Sequence, residues 1–173
     1  RDVKAPGAGP VLERLVDRAD VLVQSFRPGA AEALGFGAEA ARARNPRLIY
    51  CAVTAYGTKG PLADLPGYDP LMQAYAGLMS LTGNPGETPG RVGTSLVDMG
   101  TGMWAAVAIL AALRERDRTG RGAEITTALF DTALAWVPYQ LMGYLATGIP
   151  SSTSSSCSSG VPWPRMLRAV ASW

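Results

Sequence analysis

The sequence predicts an α/β fold built on an open sheet of parallel strands with flanking helices. Two short apolar segments, residues 20–26 and 47–53, have the length and composition of buried strands. Two short helical segments, residues 30–34 and 38–44, separate them. Strand, helices and strand in succession are typical of parallel strands joined by helical crossovers. In such sheets the ligand lies at the carboxyl ends of the strands.

The other elements follow from the spacing of apolar residues. Residues 10–18 place four apolar side chains on one face of a helix, and residues 123–128 are a third strand candidate. Three longer apolar helices are predicted over residues 71–81, 99–116 and 129–146. The chain is therefore expected to alternate strands and helices along its length.

Three residues mark where these helices begin or bend. Asp69 is a typical helix cap and Pro70 favours a first turn, so the helix 71–81 is expected to start at this pair. Pro138 is expected to kink the last helix, because proline lacks the backbone N–H and its ring clashes with the preceding turn.

The composition excludes several classes of function. The chain has 173 residues, the length of one domain, and 47% of them are apolar. Its net charge is +2 with scattered Lys and Arg, so nucleic-acid binding is not expected. The longest apolar run, residues 103–113, is shorter than the ~20 residues that span a bilayer. No charged-then-apolar signal opens the sequence, and we expect a cytoplasmic protein without a membrane segment.

The sequence contains no histidine. No Ser-His or Cys-His nucleophile pair and no His-ligated metal site is therefore available within this chain. Cys51 and Cys157 are isolated, so neither a disulfide framework nor a metal site is expected. Any chemistry falls to carboxylates, hydroxyls, lysine or backbone groups.

Asp98 is the leading candidate for that chemistry. It lies in the stretch Gly93-Thr-Ser-Leu-Val-Asp98-Met-Gly-Thr-Gly102, directly before the longest apolar helix. The helix dipole and the free backbone N–H groups at this position favour the charged form of a carboxylate. An ionised carboxylate in an apolar cleft can act as a covalent nucleophile. Asp is also among the commonest N-cap residues, so capping alone would explain it.

A second candidate region follows the second predicted strand. The loop at residues 54–61 carries the hydroxyl of Tyr56, the cation of Lys59 and glycines, including Gly57, that let backbone approach a ligand. Lys59 also fits a solvated surface charge, and Tyr56 also fits a packed ring with a satisfied hydroxyl.

Six blocks of sequence occur in the order found in one enzyme family. The blocks are Asp20-Val-Leu-Val-Gln-Ser-Phe-Arg-Pro-Gly29, Asn45-Pro-Arg-Leu-Ile-Tyr50, Gly67-Tyr-Asp69, Gly77-Leu-Met-Ser-Leu-Thr-Gly83, Val97-Asp98-Met-Gly-Thr-Gly102 and Arg118-Thr-Gly-Arg-Gly122. Together they resemble the class III CoA-transferases, which include formyl-CoA transferase, carnitine CoA-transferase and α-methylacyl-CoA racemase. The similarity covers about residues 1–149.

This resemblance implies an interlocked homodimer whose large domain has a Rossmann-like fold. The family's nucleophilic aspartate falls on Asp98. It attacks an acyl-CoA thioester to give an aspartyl–acyl anhydride, and CoA then passes to a carboxylic acid. The substrates are therefore an acyl-CoA and a carboxylic acid, with coenzyme A entering as a thioester and no permanently bound cofactor.

The resemblance also assigns residues that line the site. Tyr56 falls on an active-site tyrosine position of the formyl-CoA transferases, and Gly57, Tyr68 and Gly100 are expected to line the same cleft. The racemase branch resembles Gly-His-Asp where this chain has Gly-Tyr-Asp around Tyr68. Without that histidine, proton transfer at an α-carbon loses its partner, so CoA transfer is favoured over racemisation. A racemase-type isomerase and a catalytically inactive remnant are the alternatives, and Tyr68 also fits simple packing.

The expected contacts with CoA differ from those of some family members. Basic residues that hold CoA phosphates there fall here near Ala33 and Thr54, which are not basic. Arg27 is the nearest substitute. We therefore predict CoA contacts from Arg27, Thr54 and Lys59.

The chain also lacks parts of the family pattern. The first strand-and-helix unit, the small domain with its glycine-rich loop, and the returning C-terminal segment do not appear. We therefore expect an incomplete fold, in which residues 1–149 form the central part of the large domain. Residues 150–173, which open with a Ser-rich run, are expected to be a disordered or aberrant tail. Such a fragment is expected to be inactive by itself.

Overall fold

The structure is a computed structural model. It describes residues 7–83 and 88–149, together with Val3 and Ala5. The tail predicted for residues 150–173 lies outside the described residues.

The described chain divides into two compact units. The first contains the described residues up to Pro66 together with Thr101–Ala128. The second contains the described residues of Gly67–Gly100 and those from Leu129 onward. This division was not predicted from the sequence.

The first unit is built on a three-stranded parallel sheet. Its strands are β1 (Val21–Gln24), β2 (Ile49–Thr54) and β3 (Glu124–Ala128), in the order β1-β2-β3. Val21 lies opposite Ile49, and Tyr50 lies opposite Glu124. The predicted α/β class with parallel strands is confirmed. All three strands were predicted to within a few residues of their observed bounds.

Three short helices connect or cover these strands. They are α1 (Ala8–Arg18), α2 (Ala30–Ala33) and α3 (Ala38–Arg44). A core cluster joins α1 and α3 to β2, and its members are Val16, Ala41, Leu48, Tyr50 and Ala52. This burial explains why a helix as short as α3 is stable, since packing rather than propensity holds most short helices.

The longest helix, α5 (Leu96–Thr119), begins three residues earlier and ends three residues later than predicted. Its first five residues belong to the second unit and the rest to the first. An 18-residue window has a mean hydropathy of 1.7, and 22% of that window is buried. By length and composition this helix can cross a membrane, so the exclusion based on an apolar run was too strict. Core helices of soluble proteins meet the same criteria, and the finding is weak evidence for a span.

The second unit is helical in its described part. It contains α4 (Asp69–Tyr75), a 3-10 helix (Leu78–Leu81), α6 (Leu129–Ala135) and α7 (Pro138–Thr147). The rings of Tyr75 and Phe130 meet edge to face at 5.7 Å, which joins α4 to α6.

Two predicted helices of this unit are interrupted in the structure. The helix expected over residues 71–81 ends before Gly77, whose φ of 85° is a left-handed conformation that stops α4. The helix expected over residues 129–146 divides in two, because Pro138 starts α7 instead of kinking a continuous helix.

Candidate active site

Asp98 lies in the first turn of α5 and is exposed to solvent. The helix begins at Leu96, so Asp98 is its third residue. The prediction that Asp98 stands directly before the helix, as an N-cap, is therefore wrong. The available boundary signal was Ser95, which directly precedes the helix and is a common N-cap residue type.

The capping group is Asp69, from another helix of the same unit. Its Oδ2 accepts hydrogen bonds from the backbone N–H of Val97 at 2.6 Å and of Asp98 at 3.1 Å. These are two of the four N–H groups that a helix start leaves without intrahelical partners. Asp69 was predicted to cap its own helix, but α4 includes Asp69 and has Tyr68 as its N-cap. The capping role that competed with catalysis at Asp98 is thus performed by Asp69.

A buried glutamine holds the Asp69 carboxylate in place. Gln73 lies one turn further along α4 and donates from Nε2 to Oδ1 of Asp69 at 2.6 Å. The same Nε2 reaches the carbonyl of Thr94 at 3.4 Å, and its Oε1 accepts from the N–H of Val92 at 2.9 Å. Gln73 is fully buried and Asp69 is 2% exposed. This network ties α4 to the segment that leads into α5.

The pKa of the Asp98 carboxyl is raised above its ordinary value. Although the residue as a whole is exposed, neighbouring groups displace part of the water around its carboxyl, and this desolvation of the charged form is the larger cause. The negative charge of Asp69 is the second cause. The expectation that the helix start would favour the ionised form is therefore wrong in direction. Asp69 takes the N–H groups that were expected to stabilise Asp98 and adds a like charge beside it.

Tyr68 directly precedes Asp69, and Gly100 follows Asp98 by two residues, but the environments of these two residues differ. Tyr68 is 56% exposed, so its ring is accessible at the start of α4. Gly100 is buried, and a Cβ atom there would lie 2.9 Å from Trp136 and 3.0 Å from Thr132. Close packing therefore explains a glycine at position 100, and its predicted contact with a ligand stays a prediction.

The residues predicted to contact CoA all belong to the first unit. Arg27 follows β1, while Thr54 ends β2 and Lys59 follows it, so all three lie toward the carboxyl edge of the parallel sheet. Arg27 and Lys59 are exposed. This edge is where ligands bind open α/β sheets.

Thr54 has an internal role at this edge. Its hydroxyl donates to the carbonyl of Thr127 at 3.1 Å and accepts from the N–H of Gly57 at 2.9 Å. The single hydroxyl proton is thus used within the fold. Gly57 has a φ of 87°, which a side chain disfavours, so the turn after β2 requires glycine there. Tyr56, between them, is half-buried. Ligand contacts from these residues remain predictions.

The predicted site residues thus fall into two groups, one in each unit. Arg27, Thr54, Tyr56, Gly57 and Lys59 belong to the first unit, whereas Tyr68, Asp98 and Gly100 belong to the second. Within the described ranges, no three His, Cys, Asp or Glu side chains are grouped as a metal site requires. A carboxylate nucleophile is the chemistry that the second group offers.

Comparison with known proteins identifies the family. The model of CoA-transferase family III matches residues 2–169. The chain belongs to CoA-transferase family III. The match passes the end of the described residues, whereas two curated relatives align over 148 and 149 residues of the chain.

Individual family III relatives show how far the similarity extends. The acetyl-CoA:oxalate CoA-transferase of Acetobacter aceti is 43% identical over 148 residues, which are 85% of this chain and 38% of the relative. The succinate–glutarate CoA-transferase of Agrobacterium fabrum is 40% identical over 149 residues, 86% of this chain and 37% of the relative. The chain therefore spans less than half the length of these relatives.

A solved family structure supports the fold. The crystal structure of a CAIB/BAIF family protein from Brucella suis superposes with a TM-score of 0.82 at 38% identity. The superposition covers 87% of this chain and 40% of that protein.

The network that Asp69 and Gln73 form beside Asp98 was not predicted from the sequence. One signal was available, because these two polar residues are spaced i, i+4 on a helix that also buries Met72 and Ala74. A buried polar pair on such a helix needs a partner. That the partner is the start of α5 was not readable from spacing.

Proposed function

We propose that this chain carries the nucleophile of a CoA-transferase, which moves CoA between an acyl-CoA and a carboxylic acid through a covalent intermediate on Asp98. Membership of CoA-transferase family III supports the reaction class. One structural observation supports the residue: Asp69 caps the start of α5, so the exposed Asp98 carboxylate is not needed for that task.

The first step is attack of an Asp98 carboxylate oxygen on the carbonyl carbon of the thioester. A carbon–oxygen bond forms and the carbon–sulfur bond breaks, which gives an aspartyl–acyl anhydride and the CoA thiolate. The thiolate then attacks the aspartyl carbonyl, which releases the donor acid and leaves an aspartyl-CoA thioester. The acceptor carboxylate repeats these two steps in reverse order, so that a new acyl-CoA leaves and Asp98 is regenerated.

The electrostatics of Asp98 favour this use of the carboxylate. Its raised pKa, caused by burial and by Asp69, means that the anion is a stronger base and hence a better nucleophile. Acylation converts the anion into a neutral group, so the repulsion from Asp69 disappears in the intermediate. Interactions that oppose the free carboxylate but not the acylated one promote the chemical step.

CoA binding is proposed for the edge of the sheet in the first unit. Arg27 and Lys59 are exposed cations beside the carboxyl ends of β1 and β2. Cations at such positions suit the phosphates of CoA, to which Arg binds through two parallel hydrogen bonds and Lys as a point charge. The proposed reaction uses CoA as a substrate and calls for no permanently bound cofactor.

The names of two relatives indicate which acids to test first. One relative is named for oxalate and another for succinate and glutarate. Short dicarboxylic acids are therefore the acceptors we propose, with acetyl-CoA and succinyl-CoA as donors. Tyr68 stands where the racemase branch has a histidine, so this position lacks the imidazole that would carry the proton in racemisation. The homodimer and the cytoplasmic location stay predictions.

Trapping of the intermediate tests the proposal. The full-length protein is incubated with succinyl-CoA and quenched with hydroxylamine, which converts an activated aspartyl group into a hydroxamate. Peptide mass spectrometry then locates the modified residue. We expect the hydroxamate on Asp98, and none after Asp98→Asn. Asp131→Asn is the matched control, because Asp131 is an exposed acid on α6 of the same unit. A hydroxamate on another residue, or in Asp98→Asn, rejects the assignment.

A further inference from the structure

Asp69 has a geometry that goes beyond ordinary helix capping. Both of its carboxylate oxygens are engaged within the protein: Oδ1 accepts from Gln73 and Oδ2 accepts from the N–H groups of Val97 and Asp98. The side chain is 2% exposed. A side chain so enclosed is not accessible to a substrate, so any effect of Asp69 on the reaction passes through the residues that it contacts, Asp98 among them.

The contact with Asp98 is direct and involves its own backbone. The Asp98 N–H lies 3.1 Å from Oδ2 of Asp69. Gln73 fixes the opposite oxygen, and its amide is in turn held by Val92. The buried Asp69 carboxylate, itself held by Gln73, therefore fixes the start of α5. In doing so it also fixes the backbone from which the Asp98 side chain extends.

We propose that Asp69 is a positioning residue for the nucleophile. It takes the capping role at the start of α5 and leaves the Asp98 side chain free. Its negative charge repels the Asp98 carboxylate, and acylation of Asp98 removes that repulsion. This inference rests on the proposed function. It deepens that function by dividing two tasks between two carboxylates, one structural and electrostatic, the other nucleophilic.

Other charged groups of the second unit do not provide this effect. The described charged side chains there are Asp69, Arg91, Asp98 and Asp131. Of these, Asp69 is the one whose charge raises the pKa of Asp98, after the effect of burial. Arg91 and Asp131 are exposed.

The informative variant removes the charge of Asp69 and keeps an acceptor. In Asp69→Asn the amide oxygen can still accept from the N–H groups of Val97 and Asp98. Its NH₂ group then faces the NH₂ group of Gln73, which must rotate. The double variant Asp69→Asn/Gln73→Glu avoids this conflict, because the new carboxylate accepts from both Asn and the Val92 N–H, although it gives up the long 3.4 Å bond to the Thr94 carbonyl. It moves the negative charge one turn along α4, away from the residue that contacts Asp98.

Two measurements on the full-length protein decide the proposal. The first is the ionisation midpoint of Asp98, followed by carboxyl-carbon NMR against pH. The second is the pH profile of single-turnover acylation with succinyl-CoA. In Asp69→Asn and in the double variant we expect the midpoint, and the acid limb of the profile, to move to lower pH. Removing a like charge makes the anion easier to form. Asp131→Asn should leave both unchanged.

The outcomes separate this proposal from the proposed function. A midpoint that stays in place or rises in both variants overturns the role of Asp69, even where Asp98 is acylated normally. Absence of acylation in the unmodified protein rejects the proposed function, while the NMR midpoint still reports whether Asp69 acts on Asp98. A merely structural role would lower stability in the variants without moving the midpoint.

Discussion

Replacement of Asp69 by alanine tests whether the start of α5 depends on a carboxylate from α4. The substitution removes three hydrogen bonds at once, to the N–H groups of Val97 and Asp98 and to the amide of Gln73. Val97 is fully buried, so water does not readily replace the lost acceptor. Gln73 keeps its contacts with Thr94 and Val92.

The expected loss of stability follows from these contacts. Loss of an N-cap acceptor costs about 0.5–2 kcal/mol, and a buried group left without its partner costs about 1–3 kcal/mol. Relief of the repulsion between the two carboxylates offsets part of this. We therefore expect Asp69→Ala to lower the free energy of unfolding by about 2–4 kcal/mol. At about 2–4 °C per kcal/mol for a chain of this length, the melting temperature falls by roughly 4–16 °C.

Urea unfolding followed by circular dichroism measures this loss, with thermal melting as a second probe. The double variant Asp69→Asn/Gln73→Glu, which retains an acceptor for both N–H groups and gives the new amide a partner, should recover more than half of the lost free energy. Asp131→Asn is the control for removing an exposed acid from the same unit. An Asp69→Ala protein within about 0.5 kcal/mol of the parent, the range of ordinary surface changes, would refute the reasoning.

Three further predictions concern glycines and the charge of the nucleophile. Gly122→Ala should destabilise the chain by about 3 kcal/mol in urea unfolding, because its Cβ would lie 2.0 Å from the Leu48 carbonyl oxygen; a neutral change contradicts this packing. Gly100→Ala should cost about 1–3 kcal/mol, since its Cβ would lie 2.9 Å from the Trp136 ring, and Trp136→Phe in the same chain should recover part of the loss. Asp98→Asn should raise the melting temperature at neutral pH, because the folded protein holds the pKa of Asp98 above its unfolded value and so disfavours the anion. That gain should vanish near pH 3, below the ~3.9 of an unperturbed Asp, where both states are protonated; a variant less stable than the parent at neutral pH would show the sign to be wrong.

Most elements of the fold were predictable because local signals fix them. The strands are short apolar runs, and α3 has the bounds that its composition predicts. The breaks in the second unit were harder, since a glycine or proline inside an apolar run permits several outcomes. Gly77 ends a helix where continuation was expected, and Pro138 starts a helix where a kink was expected.

The sequence names a candidate site residue, Asp98, whose role stays a prediction, but it does not predict the electrostatics around that residue. Asp98 is indicated by its place before an apolar helix and by the family blocks around it. The direction of its pKa shift depends on which group takes the free N–H groups of α5. That group, Asp69, is 29 residues away in the sequence, and only the fold brings it there. The cap predicted at Asp98 is therefore supplied by Asp69.

The central claim is that Asp98 becomes acylated by a thioester while Asp69 holds the helix that carries it. Mass spectrometry of the full-length protein, quenched with hydroxylamine during turnover of succinyl-CoA, tests this most directly. We predict a hydroxamate on the peptide that contains Asp98 and an unmodified Asp69. A hydroxamate on Asp69, or turnover that leaves Asp98 unmodified and survives Asp98→Asn, would contradict it.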